Sequence, residues 1–280
     1  MKKNRLSFLF LSILLSVSFL FSQNNDSIFV ERLLKENSSK HLSSINENII
    51  YIAKKFTGTP YCGGTLDTSD EEILITRTDS LDCTTFVETV LAMYITSKDS
   101  KRTYTDFCES LQYIRYRNGI INGYTSRLHY FSDWVNDNSK KGILYEVTNN
   151  TDHKTRVFSL NYMTSHYEQY PLLKSNNENV VSLKKIEEKW VDYAMTYIPK
   201  DMLLSGKSEL NIEDGDIIAL TTSIDGLDVV HLGFACWIED KLHLLHASSL
   251  HKKVILDSES LYEYLKDRKK HTGIRVIRVK

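Results

Sequence analysis

Three residues stand out for the chemistry that their types and spacing allow. They are Cys83 in Leu81-Asp-Cys-Thr-Thr-Phe-Val87, His231 in Val229-Val-His-Leu-Gly-Phe234 and His246 in Leu244-Leu-His-Ala-Ser248. Positions 83, 86, 87, 90, 91 and 94 share one face of a helix over 81–94, with Asp82 as its N-cap. A cysteine in the opening turn of a helix meets unpaired N–H groups and the positive end of the dipole, which favour a thiolate and can hold an oxyanion. The bland alternative is a buried core cysteine, since position 83 lies on the apolar face. The histidines weigh against that alternative. If the chain turns at Glu239-Asp240, His231 and His246 become near neighbours on one face of a hairpin. One imidazole can then take the thiol proton while a second polar ring holds it in place. Each histidine taken alone reads as a satisfied core residue. His243 is out of phase and is expected on the opposite face, and His251 at the surface.

A second constellation lies in Ser126-Arg-Leu-His-Tyr-Phe-Ser-Asp-Trp134. Arg127, His129, Tyr130 and Trp134 combine hydrogen-bond donors with flat aromatic faces, and sugar rings need both. The competing reading is an amphipathic helix that packs Tyr130, Phe131 and Trp134 into a core. His129 and Asp133 stand four apart, but there is no His-Glu-x-x-His and no Cys-x-x-Cys, so zinc is not expected. No Gly-rich phosphate loop occurs either, and no cofactor is expected.

The elements that would position these residues fall into two halves. Apolar spacing predicts helices over 27–35, 45–56, 81–94, 104–116, 130–136 and 183–197, the last ended by Pro199. Segment 142–170 is mixed. β-rich runs follow at 215–222, 229–238, 241–247 and 274–279, split by turn residues. Helices first and antiparallel strands second predict an α+β domain with helices on one side of a sheet.

Lys2, Lys3 and Arg5, the apolar run Leu6–Phe21 and then Ser22-Gln23 read as a cleavable secretory signal peptide over 1–22. The run is shorter than the roughly 20 residues of a spanning helix, so no stable membrane insertion is expected after its removal. A periplasmic or secreted protein follows, with one domain over 23–280 and a middle insertion at about 118–200. The 35 basic and 36 acidic residues leave no electrostatic footprint for nucleic acid. If Cys83 is a catalytic thiol, at most one disulfide can join Cys62, Cys108 and Cys236, and the spacing does not decide whether one forms.

Taken in order, Tyr61-Cys-Gly-Gly64, Leu81-Asp-Cys-Thr-Thr-Phe-Val87, Gly215-Asp-Ile217, His231-Leu-Gly-Phe234 and His246-Ala247 resemble the motifs of the NlpC-type cysteine amidases, bacterial cell-wall enzymes with a papain-like core. The Asp82-to-Glu88 wording and the Ser126–Trp134 segment are similar to the N-acetylmuramoyl-L-alanine amidase-like branch of that superfamily. The resemblance implies Cys83 as nucleophile, His231 as base and His246 as the residue that orients it. Tyr61 and Asp82 are implied to line the site. Arg127, His129, Tyr130 and Trp134 are implied to contribute to a carbohydrate pocket. The expected partner is a muropeptide, with a 1,6-anhydro disaccharide-peptide as the implied form. Asp82-Cys-Thr-Thr85 departs from the usual Asp-Cys-Ser-Gly, which favours the muramic acid–L-alanine amide over the γ-D-glutamyl-diamino acid bond. An endopeptidase of the same fold and a catalytically dead peptidoglycan-binding module are the alternatives. The oligomeric state is open.

Overall fold

A computed structural model describes residues 25–40, 42–98 and 101–280. The expected signal peptide lies outside these residues. Among the described residues, eight strands form one antiparallel sheet: β1 (Leu144–Glu146), β2 (Lys154–Phe158), β3 (Tyr193–Pro199), β4 (Ile217–Thr222), β5 (Val229–Ile238), β6 (Lys241–Ser248), β7 (Lys253–Leu256) and β8 (His271–Val279). Their order is β2-β3-β8-β4-β5-β6-β7, with β1 also paired to β8. β5 and β6 turn at Glu239-Asp240, the expected place, with Ile238 opposite Lys241 and both turn residues at positive φ.

Side chains alternate between two cores. Ile217, Ala219, Leu232, Phe234, Leu245 and Ala247 face one way, towards α3 (Cys83–Lys98). α3 packs against α2 (Ile45–Lys54), α4 (Tyr104–Arg115), β5 and β6, and α1 spans 25–38. Ile218, Leu220, Ala235, Leu244 and Val276 face the other way, where α7 (Leu261–Lys266) and the 3-10 turn Lys200–Leu204 cover them. Helical elements therefore sit on both faces of the sheet, not one. All six residues of β4 are buried, the apolar Ile217–Leu220 and also the polar Thr221 and Thr222. α3 is also more enclosed than a one-faced helix, because every residue from Thr85 to Tyr94 is buried.

The middle of the chain has its own cluster, built around Tyr130, Leu160, Met163, Leu183 and Met195. Here the expected 183–197 helix is wrong at its C-terminal end. Helix α6 is Asn177–Glu187, capped by the Asn176 side chain, and Asp192 at φ 52° redirects the chain into β3. β3 pairs with β2 along Tyr193–Tyr197 and with β8 at Ile198 and Pro199. Tertiary pairing overrides a helical pattern over Tyr-Ala-Met-Thr-Tyr-Ile. α5 spans Phe131–Lys140, one residue later than expected at its start and four longer at its end. No helix among the described residues is long and apolar enough to cross a membrane.

Candidate active site

A cleft of about 300 Å³ opens where the start of α3 meets the start of β5. Asp82, Cys83, Arg127, His129, Tyr130, Trp134 and His231 all line it. Val229, Val230, His231 and Leu232 line it consecutively, so the cleft wraps the end of the strand and meets both of its faces.

Cys83 is the first residue of α3. Asp82 caps that helix: its Oδ1 accepts the Thr85 N–H at 2.8 Å, and Thr85 Oγ1 accepts the Asp82 N–H at 2.9 Å. The same carboxylate stands beside the sulfur. Burial first, and then the Asp82 charge, push the Cys83 thiol up to about 11, although groups of Leu232 and Thr84 pull it down. The helix start alone therefore does not produce a resting thiolate.

His231 Nε2 lies 2.6 Å from His246 Nδ1, with the two rings edge-on at 89°. That hydrogen bond leaves His231 Nδ1 as the ring nitrogen without this commitment. Burial lowers His231 to about 3, aided by His246, His271 and Arg268. Burial also lowers His246 to about 4, against the pull of Asp257. Both rings are thereby neutral at pH 7. His246 is fully buried and stands behind His231, away from the cleft wall. Its Nε2 lies 3.5 Å from Asp257 Oδ2, and no closer hydrogen-bond partner exists among the described residues. His243 is on the other face of β6, where its Nδ1 meets the Asp257 carbonyl at 3.0 Å.

The opposite wall comes from the Ser126–Trp134 segment, and several of its polar groups are already engaged. Arg127 is buried, pairs with Asp67, and has Nε 3.4 Å from Glu72 Oε1. His129 Nε2 bonds the Tyr124 carbonyl at 2.9 Å, and burial followed by the Arg127 charge lowers it to about 3. Asp133 pairs instead with Arg117, so the four-residue His/Asp spacing does not converge on one point. Tyr130 donates to Glu187 at 2.7 Å. Trp134 stacks on Phe131 at 5.6 Å, and its indole N–H has no hydrogen-bond partner among the described residues. Tyr61 is held next to the start of α3 by its bridge to Leu81, but it is not on the cleft wall. Its phenol is raised by burial and by the neighbouring Cys83.

Sequence reasoning missed several residues. The buried ion pair of Glu88 and Arg115, at 2.6 Å, forms part of the cleft floor. Asp228 Oδ2 accepts the Ser132 N–H at 2.7 Å and so ties the start of β5 to the first turn of α5. Asp257 was invisible because only the β6–β7 register brings it to His246: Ile255 pairs with His246, and Asp257 is two residues further on the same face. The four cysteines are all free.

The profile of the AmiA-like family, described as N-acetylmuramoyl-L-alanine amidase-like, matches residues 51–274. An N-acetylmuramoyl-L-alanine amidase from Bacteroides uniformis ATCC 8492 is 42% identical, over 84% of this chain and 99% of that one, with a TM-score of 0.79. A Bacteroides fragilis protein provisionally named a xylanase is 46% identical over 81% and 99%, with a TM-score of 0.76. A protein from Legionella pneumophila shares the fold at 24% identity, over 93% and 96%, with a TM-score of 0.71. No curated protein sequence matches the chain. With its family profile spanning most of its length, the chain belongs to the N-acetylmuramoyl-L-alanine amidase-like family.

Proposed function

We propose that the protein is an exported cysteine amidase that cuts the amide between N-acetylmuramic acid and the L-alanine of a peptidoglycan stem. One observation carries this reading: the His231 Nε2–His246 Nδ1 bond, beside a cleft that Cys83 and His231 line together. In this scheme the neutral Cys83 thiol gives its proton to His231 Nδ1 as the sulfur attacks the lactyl carbonyl carbon. N–H groups at the start of α3 hold the oxyanion, with Tyr61 as a nearby donor. The C–N bond then breaks, His231 returns the proton to the departing amine, and a thioester remains. Water, deprotonated by His231, hydrolyses the thioester and restores the thiol. The high thiol value favours proton transfer concerted with attack over a standing ion pair.

The sugar is assigned to the wall of Arg127, His129, Tyr130 and Trp134. The 1,6-anhydro disaccharide-peptide is the proposed form. In the same reading α3, β5 and β6 form a papain-like core, residues 1–22 are removed on export to the periplasm or beyond, and residues 23–280 are one domain whose insertion at about 118–200 shapes the pocket.

The test is digestion of defined muropeptides, with and without the anhydro ring, by the wild-type protein and by Cys83→Ala, read by mass spectrometry. Release of the whole stem by the wild type and none by the variant is expected. Cuts inside the stem would point to an endopeptidase of the same fold. Full activity in Cys83→Ala would overturn the mechanism, and inactivity of the wild type with retained muropeptide binding would point to a binding module.

A further inference from the structure

We infer that Asp257 is a positioning residue that sets the tautomers of both histidines and so keeps a basic nitrogen turned towards Cys83. The inference rests on the cysteine mechanism above, and it starts from strand register. Gly233 stands opposite His246, and His231 is two residues away from Gly233 on the same face of β5. Ile255 pairs with His246, and Asp257 is two residues away in the opposite direction. His231, His246 and Asp257 therefore run diagonally across three neighbouring strands, each offset by two from the direct partner.

The chemistry follows from donors and acceptors. The Asp257 carboxylate accepts hydrogen bonds, and its Oδ2 faces the buried His246 Nε2 at 3.5 Å. A proton on that nitrogen satisfies both groups. His246 Nδ1 is then a lone pair, and the 2.6 Å contact requires His231 Nε2 to donate to it. The lone pair of His231 is left on Nδ1. With the proton on the wrong nitrogen of His246, the whole line inverts and His231 presents N–H where a base is needed. Other charged or titratable groups around the pair are His251 and Arg268 at His246, and His271 and Arg268 at His231. The Tyr264 ring lies edge-on against His246 at 5.8 Å. Among these, Asp257 is the anion.

Two measurements test this. Long-range 1H–15N correlation on the wild-type protein at about pH 7 reads the tautomers directly and needs no variant. Both His231 and His246 are expected in the Nε2–H form, and an Nδ1–H form of His246 would overturn the inference. Asp257→Asn can present an amide N–H to His246 and stabilise the inverted line. Its kcat on muropeptide is expected to fall about tenfold or more with KM unchanged, and Asp257→Glu should restore most of it. Alkylation of Cys83 by iodoacetamide, followed against pH, should shift in Asp257→Asn without reference to any substrate. A wild-type kcat and alkylation profile in folded Asp257→Asn would overturn the inference. A muropeptide left uncut by a wild type that shows the expected tautomers would count against the proposed substrate and leave the positioning role supported.

Discussion

Gly233 faces His246 so closely that a Cβ at position 233 would stand 2.9 Å from the His246 Cβ and 2.9 Å from Leu244 Cγ. The β5–β6 hairpin thus uses a residue without a side chain to let the second imidazole reach the first. Gly233→Ala should destabilise the protein by about 1–3 kcal/mol through overpacking. Because His246 must move, amidase activity should fall further than the loss of folded protein explains. A denaturant midpoint and kcat measured on the same sample check this, and wild-type kcat with lowered stability would separate the glycine from the histidine pair.

Much of the histidine geometry was legible in the sequence, because parity and a turn signal suffice to put His231 and His246 on one face. The Ser126–Trp134 segment was legible as a group but not in its partners. Tyr130 is tied to Glu187 and Arg127 to Asp67, and both acids lie far away in sequence. Asp257 depends on a second hairpin whose register has no turn signature of its own, and β3 depends on pairing with β2, some forty residues upstream, and with β8 at the far end of the chain. Non-local pairing of this kind leaves little trace in local periodicity.

Glu88 and Arg115 meet at 2.6 Å with both side chains 3% exposed. Removing one partner leaves the other charge buried, so Glu88→Gln is expected to lose about 3–5 kcal/mol of stability. Glu88→Gln combined with Arg115→Met should recover part of that loss. Urea unfolding of the two variants decides the matter, and equal losses would mean that the pair is not coupled.

Three histidines whose values burial lowers, His246 fully buried and His129 and His231 half-buried, make the fold acid-sensitive. His129 and His231 are held at about 3 and His246 at about 4, all below the ordinary 6.5. A histidine with a lowered folded value binds its proton more readily when unfolded. Its contribution is complete above about 6.5 and is lost as pH falls towards the folded values. Stability should therefore decline between about pH 6.5 and pH 3. The loss from about pH 7 to pH 4.5 should be smaller in His129→Gln than in the wild type. Denaturant titrations at the two pH values test this, and equal losses would count against a neutral His129 in the fold.

The Asp82 carboxylate both caps α3 and raises the Cys83 thiol, and substitution can separate the two effects. Asparagine at position 82 can still accept the Thr85 N–H, so Asp82→Asn keeps the cap, whereas Asp82→Ala loses about 1 kcal/mol of helix stability with it. Both substitutions remove the negative charge. Only the thiolate reacts with iodoacetamide, so a lower thiol value raises the rate at any pH below it. At about pH 8, Cys83 in Asp82→Asn should therefore alkylate faster than in the wild type, with its pH profile moved towards acid and its melting temperature nearly unchanged. Peptide mapping must assign the label to Cys83, since Cys62 and Cys108 are also partly exposed thiols. A slower rate in Asp82→Asn would show that the carboxylate supports the thiolate rather than opposing it.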